Sequence, residues 1–147
     1  MTDDVLWFAS DALDQMVVAL RRLGDERVNE RPDLPGANTP FAIVTHCLGV
    51  LEWWGGAVVA GRRVTRDRDA EFVATGRADE LVERVDAAGA RLAADVAGVE
   101  WAAPPEVVTN PDRPDGRTKG GVLLHLLEEL YQHLGQLELT RDVLEAR

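Results

Sequence analysis

Hydrophobic residues recur every three or four positions in four segments of the chain, and no segment alternates in the manner of a strand. These segments cover about residues 3–23, 39–60, 78–97 and 121–145. Glycine follows the first two of them (Gly24 and Gly61), and Thr39-Pro40 provides a capping hydroxyl and a first-turn proline for the second. The pattern therefore predicts an all-α protein with four main helices.

The stretches between the segments, residues 24–38, 61–77 and 98–119, are rich in proline, glycine and charged residues. We interpret them as long loops, and we interpret the arginine run at Arg62, Arg63, Arg66 and Arg68 as solvated. Four helices with long connections are typical of a four-helix bundle, whose core commonly contains metal or ligand sites. The 147 residues predict a single bundle domain that spans residues 1–147.

The charge balance restricts the partners of this chain. Sixteen Lys and Arg stand against 26 Asp and Glu, which gives a formal net charge of −10. Such a charge repels phosphate backbones and anionic membrane surfaces, so we expect neither a nucleic acid nor a membrane as a partner. Cys47 is the only cysteine, the N-terminus does not resemble a signal peptide, and no long uninterrupted apolar run occurs. These features predict a soluble, cytoplasmic protein without a transmembrane helix.

The last segment carries a polar stripe beside its leucine face. At about 100° per residue, His125, Glu129, His133 and Gln136 fall on one side of the helix. Glu129 and His133 are four residues apart, so their side chains project from adjacent turns towards one point. A carboxylate and a neutral imidazole at this spacing suit a divalent metal. The only histidine outside this helix is His46, on the second segment, and it is the candidate third ligand.

Simpler interpretations compete with a metal site. Glu and His four residues apart can form an ordinary surface pair, and a single histidine at a helix edge is usually a surface or hydrogen-bonded residue. Trp53 and Trp54 suit core packing better than a substrate platform, and Cys47 suits a buried small hydrophobic position. Periodicity alone therefore leaves the metal site as the minority interpretation.

Two segments resemble a known superfamily. "HLGQLELTRD" resembles the closing motif of the DinB-like four-helix metalloproteins, and "THCLGVLEWW" resembles their second-helix motif. The pairing of "TPFAIVTHCLGVLEWW" with "LLHLLEELYQHLGQ" is similar to the actinobacterial branch that includes the N-terminal domain of mycothiol-dependent maleylpyruvate isomerase. The resemblance implies a His–Glu–His ligand set at His46, Glu129 and His133. The chain departs from the branch at Gln136, where a second histidine often stands.

The resemblance implies a function as well. A metal would activate a low-molecular-weight thiol, mycothiol or bacillithiol, which adds to an electrophilic substrate in a transferase or isomerase reaction. The isomerase reaction itself does not carry over, because no second domain follows the bundle in this sequence. Zinc is the expected metal, although nickel, iron and manganese also accept a mixed nitrogen and oxygen set. A hydrolase that uses metal-bound hydroxide is a variant of this hypothesis.

The alternative is a non-catalytic, metal-binding or stress-associated bundle. A structural site would be closed by a fourth protein ligand, for which His125 is the candidate. Gln136, His125 and Trp53 are also candidates for contacts with the ligands or the substrate. A homodimer is a further expectation, with Trp7, Val58 and Val59 as candidate contact residues.

Overall fold

The structure is a computed structural model that describes residues 1–109, 112 and 116–147. The described residues form α-helices and no strand, which confirms the predicted all-α class. Part of the predicted loop 98–119 lies at residues 110, 111 and 113–115, outside the described residues. The helices are α1 (Thr2–Arg27), α2 (Pro40–Val50), α3 (Arg68–Phe72), α4 (Ala78–Asp95) and α5 (Lys119–Glu145), with a π-helical stretch (Leu51–Val59) that continues α2.

The four long helices form a bundle in which α1 and α2 lie on one diagonal and α4 and α5 on the other. Both α1 and α2 pack against α4 and against α5, whereas no Cα atoms of α4 and α5 lie within 8 Å of each other among the described residues. The core between them is aliphatic, with fully buried leucines on α5 such as Leu123, Leu126 and Leu130. The α2–α5 contact is the one that brings the two motif-bearing segments together.

The helix caps follow the sequence signals. The Thr39 hydroxyl accepts a hydrogen bond from the Ala42 amide at 3.1 Å, and α2 begins at the following proline. The Thr118 hydroxyl accepts one from the Gly121 amide at 3.0 Å at the start of α5. Gly24, with a φ of 61°, breaks the helical path of α1 near its end. Unpaired amides at helix starts are satisfied by such hydroxyls, so these caps set where α2 and α5 begin.

The π-helical stretch changes which side chains face the core. A sequence wheel at about 100° per residue assumes α geometry, and the wider i→i+5 turn does not follow it. Val58 and Val59 are both buried, at 0% and 1% exposure, where the π-helical stretch packs against α4 and α5. The prediction that these two valines form an outer contact face is therefore wrong. Trp7 on α1 is exposed, as that prediction requires of it.

The connection between the π-helical stretch and α4 is more ordered than the predicted loop 61–77. It contains the short helix α3, which begins where the Asp67 carboxylate accepts a hydrogen bond from the Ala70 amide. At its start, the Arg62 guanidinium donates to both oxygens of Asp95 at 2.7 and 2.9 Å and to Glu52 at 2.8 Å. The interpretation of the arginine run as solvated is thus wrong for Arg62, and it is also wrong for Arg66, which donates to Glu71 at 2.7 Å.

The other end of this connection is held by side chains from the end of α1. The Asn29 amide donates to the Gly76 carbonyl at 2.8 Å and accepts from the Gly76 amide at 3.1 Å. The Asp25 carboxylate accepts a hydrogen bond from the Ala78 amide at 2.7 Å, at the first turn of α4. Because both ends are tied to the bundle, α3 is held against α2.

The apolar helix formed by α2 and the π-helical stretch meets the length and composition of a membrane span. Pro40–Val59 has a mean hydropathy of 1.4, and among the described residues it is the one stretch that passes this test. Of that window, 78% is buried inside the bundle. Burial of this kind is typical of the core helix of a bundle, which needs an apolar surface all round.

Candidate metal centre

The structure brings His46, Glu129 and His133 together at the contact between α2 and α5. One ligand atom from each side chain lies within 4.8 Å of the other two. The Nε2 atom of His133 is 3.5 Å from Glu129 Oε2, and the Nε2 atom of His46 is 3.8 Å from the same oxygen. The two imidazole rings meet edge to face, with centroids 4.6 Å apart. These are the three residues that the resemblance implies as ligands; that they bind a metal stays a prediction.

The cluster is closed on the α2 side and open on the α5 side. The His46 side chain is 3% exposed, whereas the side chains of Glu129 and His133 are 26% and 18% exposed. Glu129 and His133 are therefore the two members of the cluster that solvent contacts.

A buried carboxylate determines which nitrogen of His46 faces the cluster. Glu71 on α3 accepts a hydrogen bond at 2.8 Å from Nδ1 of His46, because an ionised carboxylate can only accept. Its two oxygens also accept from Arg66, at 2.7 and 3.0 Å. Arg66 lies 3.4 Å from Nδ1 as well, but the shorter contact to Glu71 decides the tautomer. With its proton on Nδ1, His46 presents a bare Nε2 to Glu129 and His133.

An amide performs the same task for His133. Nδ1 of His133 lies 3.0 Å from the Oε1 atom of Gln136, an acceptor, so Nδ1 carries the proton. Nε2 of His133 is then left to face Glu129. Histidines that bind metals almost always donate their other ring nitrogen to a carboxylate, a carbonyl or water in this way. Gln136 therefore orients the ring of His133. The sequence leaves open whether Gln136 contacts a candidate metal-binding residue or the substrate, and the structure has the first of these contacts.

The unsatisfied nitrogen of His46 tests whether a metal ion fits the cluster. His46 Nε2 is buried and has no hydrogen-bond partner among the described residues. A buried polar atom without a partner is rare in native proteins and needs an explanation. Donors bound at about 2.1 Å to one tetrahedral ion stand about 3.4 Å apart. Two of the three separations, 3.5 and 3.8 Å, are close to this spacing, and all three are within 4.8 Å. A small inward movement of the side chains would place the three donors around one divalent ion.

Burial also keeps His46 in the neutral form that a metal requires. Desolvation lowers the pKa of His46 below its ordinary value, and the hydrogen bond to Glu71 opposes that shift without reversing it. The ring of Phe72, next to Glu71 on α3, stacks on the His46 ring at a centroid distance of 4.8 Å and an angle of 25°. Of these two adjacent residues of α3, Glu71 accepts a hydrogen bond from the imidazole of His46, and Phe72 stacks on its face.

His125 lies beside the cluster and outside the set of three. Its Nδ1 is 3.0 Å from Glu128, and its Nε2 is 3.6 Å from Oε1 of Glu129, the oxygen that does not face the histidines of the cluster. The ring of Trp54 meets His125 edge to face at 4.9 Å. Trp53 is half-buried against the hydrophobic core. Trp53 is the candidate tryptophan that the sequence predicts near the site, but the ring contact to His125 is made by Trp54.

Cys47 follows His46 in sequence but points into the core. It is fully buried, as its small apolar side chain predicts, and burial raises the pKa of its thiol far above the ordinary value. A neutral thiol is a poor nucleophile, and the sulfur of Cys47 is not one of the donor atoms of the cluster. Any thiol that reacts at this site must come from outside the chain.

Glu71 and Arg66 are the site residues that sequence reasoning missed. Asp67, a typical helix-capping residue, was a readable signal for the short helix that carries Glu71. Nothing in a charged run indicates that a carboxylate within it is buried. That burial depends on Gly49 of α2, where an added Cβ would overlap with the Glu71 carboxylate. Glycine is thus the residue that lets α3 approach His46 so closely.

The fold and the site together define a class of protein. It is a helical bundle with a His–Glu–His cluster between its second and last long helices. The chain belongs to the mycothiol-S-transferase family, whose sequence model matches residues 6–146, and the DinB-like resemblance is thereby confirmed. A solved protein from Enterococcus faecalis, described as "the conserved protein of locus", is similar in fold, with a TM-score of 0.77 at 13% identity. That alignment covers 100% of this chain and 98% of the other. No curated protein matches the chain.

The close approach at Gly49 predicts different outcomes for two glycine substitutions in helices. Gly49→Ala should displace Glu71 and lower the affinity for Zn²⁺ by about tenfold or more. Gly135→Ala on α5 is the matched control, because a Cβ there meets nothing within 4 Å among the described residues. It should keep the Zn²⁺ affinity and raise the free energy of unfolding by about 0.5–1 kcal/mol. Competition with a chelator and urea unfolding measure both quantities. Equal Zn²⁺ affinities of the two variants would contradict the role of Gly49.

Removal of the Glu71 charge tests the orientation of His46 directly. Glu71→Gln keeps the shape of the side chain, but its amide has one acceptor oxygen in place of two and no charge, so at least one of the three hydrogen bonds from His46 and Arg66 is lost. We expect the Zn²⁺ affinity to fall by about 10- to 100-fold in a chelator competition. Glu83→Gln, an exposed position on α4, makes the same change in net charge and should leave the affinity unchanged. A Glu71→Gln protein that binds Zn²⁺ as the wild type does would show that Glu71 has no such role.

Proposed function

We propose that this chain is a metal-dependent transferase that joins mycothiol, or a similar low-molecular-weight thiol, to a small electrophile. The observation that carries the proposal is the buried, unbonded Nε2 of His46, which faces Glu129 and His133. Membership of the mycothiol-S-transferase family supports the identity of the thiol.

His46, Glu129 and His133 would hold the divalent ion, with zinc the expected metal. A divalent ion at this position supplies Lewis acidity, which deprotonates a bound thiol near neutral pH. Glu71 and Gln136 keep the protons of the two imidazoles on Nδ1, so both Nε2 atoms remain ligands. Phe72 and the apolar wall of α2 exclude water from the inner side of His46.

The number of ligands favours a catalytic site over a structural one. Structural zinc sites have four protein ligands, whereas catalytic sites keep a position for water or a substrate. The described residues supply three, and His125 faces the far oxygen of Glu129 with Nε2 and Glu128 with Nδ1. Glu129 and His133 are partly exposed, so an external thiol can approach from the α5 side.

The net reaction is a substitution at an electrophilic carbon. The thiol loses its proton, a carbon–sulfur bond forms, and the bond from the same carbon to the leaving group breaks with its electron pair. Because Cys47 is buried, no thiol of the chain competes as the nucleophile. The net charge of −10 is no obstacle to a small thiol, which enters a local site.

The test compares thiols, metal content and variants in one conjugation assay. Purified protein loaded with Zn²⁺ should conjugate mycothiol to a chromogenic aryl chloride faster than it conjugates glutathione or cysteine. Chelation should lower the rate by about 100-fold or more, and added Zn²⁺ should restore it. His133→Ala should lose both Zn²⁺ and turnover while circular dichroism still shows the helices, because the leucine core is intact.

Cys47→Ala is the control variant, and it should keep both metal and turnover, because its buried thiol takes no part. Metal-free protein that conjugates mycothiol at the wild-type rate would overturn the proposal. Tight Zn²⁺ binding without turnover for any thiol would favour the non-catalytic alternative. Turnover that needs the metal but no thiol would favour a hydrolase.

A further inference from the structure

A cavity of about 490 Å³ lies between α2, the connection that follows the π-helical stretch, and α4. Its volume is in the range of sites that bind small molecules. None of the three cluster residues lines it; Glu71, which bonds to His46, forms part of its wall. The cavity is thus separate from the candidate metal centre and adjoins it through Glu71.

The lining of this cavity is more basic than the rest of the chain. Five arginines line it against three carboxylates, in a protein that carries a formal net charge of −10. These charged residues are Arg62, Arg63, Arg66, Arg84, Arg91, Glu52, Asp67 and Glu71. A concentration of positive charge in a concave site attracts anions, because low-dielectric walls focus the field.

Three of the five arginines are already paired and two are not. Arg62, Arg66 and Arg91 donate to carboxylates at distances between 2.6 and 3.0 Å. Arg63 and Arg84 have no carboxylate within 4.0 Å among the described residues. Two guanidinium groups at the cavity are therefore available to a ligand.

A buried hydroxyl beside the same cavity lacks a partner. Thr45 lines the cavity and is 8% exposed, and its Oγ1 atom has no hydrogen-bond partner among the described residues. A threonine in a helix commonly bonds back to a carbonyl of the preceding turn, and Thr45 does not. Unsatisfied buried hydroxyls are rare and often indicate a ligand or water that completes the bond.

We propose that this cavity binds an anionic small molecule through a phosphate or carboxylate group. Arg63 and Arg84 supply the charge-assisted hydrogen bonds, and the Thr45 hydroxyl, which is shielded from solvent in the structure, donates to the same ligand once its side chain rotates towards the cavity. Planar guanidinium groups bind phosphate and carboxylate alike through two parallel hydrogen bonds. The lining residues therefore do not distinguish one of these two groups from the other. This inference does not depend on the proposed transferase activity.

The experiment titrates the protein with two simple probes at constant ionic strength. Inorganic phosphate and succinate are added separately to isotopically labelled protein, and backbone amide shifts are followed by NMR. We expect saturable shifts at Thr45, Arg63 and Arg84 with at least one probe; which one binds tells phosphate from carboxylate. Arg84→Gln and Arg63→Gln should each weaken that binding by about tenfold. Thr45→Val, which keeps the shape of the side chain, should weaken it by about threefold.

Arg21→Gln is the matched control, because Arg21 is exposed on α1, away from the cavity, and the change in net charge is the same. It should bind the probe with the wild-type affinity. Circular dichroism of each variant checks that the fold is retained. Failure of both probes to saturate at millimolar concentration, equal weakening by Arg21→Gln, or wild-type binding by Thr45→Val would each overturn the proposal.

Discussion

The hydrogen bond between Glu71 and Nδ1 of His46 is the interaction on which the candidate site depends. It places the proton of the imidazole on Nδ1, which leaves a bare Nε2 inside the bundle, 3.8 Å from Glu129. A buried carboxylate is unfavourable unless it is paired and hydrogen-bonded, and Arg66 satisfies both of its oxygens. The three residues form one unit, in which a charge pair orients a neutral histidine.

The bundle holds this unit through a connection that is tied at both ends. Arg62 bonds to Asp95 and Glu52 at one end, and Asn29 bonds to the Gly76 backbone at the other. The short helix between these ties lies against α2 at a glycine, so Glu71 meets His46 without an intervening side chain. The orientation of the His46 ring is therefore a property of the tertiary structure, with little contribution from the helix that carries it.

The parts that sequence could predict are those that a single helix determines. Glu129, His133 and Gln136 share a side of α5 because a helix places residues three and four apart together, and the structure has them in contact. His46 was a candidate because it is the only histidine outside α5, and the resemblance strengthened that assignment, since no spacing relates α2 to α5. Glu71 could not be predicted, since its burial requires Arg66 and Gly49 at once. Val58 and Val59 were expected at an outer contact face but are buried, because the apolar stretch that carries them packs against both α4 and α5.

The central claim is that both histidines bind a metal through Nε2 while their Nδ1 atoms stay bonded to the chain. A crystal structure of the Zn²⁺-loaded protein, with anomalous scattering recorded at the zinc edge, tests it most directly. We predict one anomalous peak about 2.0–2.2 Å from Nε2 of His46, Nε2 of His133 and a carboxylate oxygen of Glu129. Glu71 and Gln136 should remain bonded to the Nδ1 atoms. A zinc ion bound through Nδ1 of either histidine, or bound elsewhere on the protein, would contradict this account.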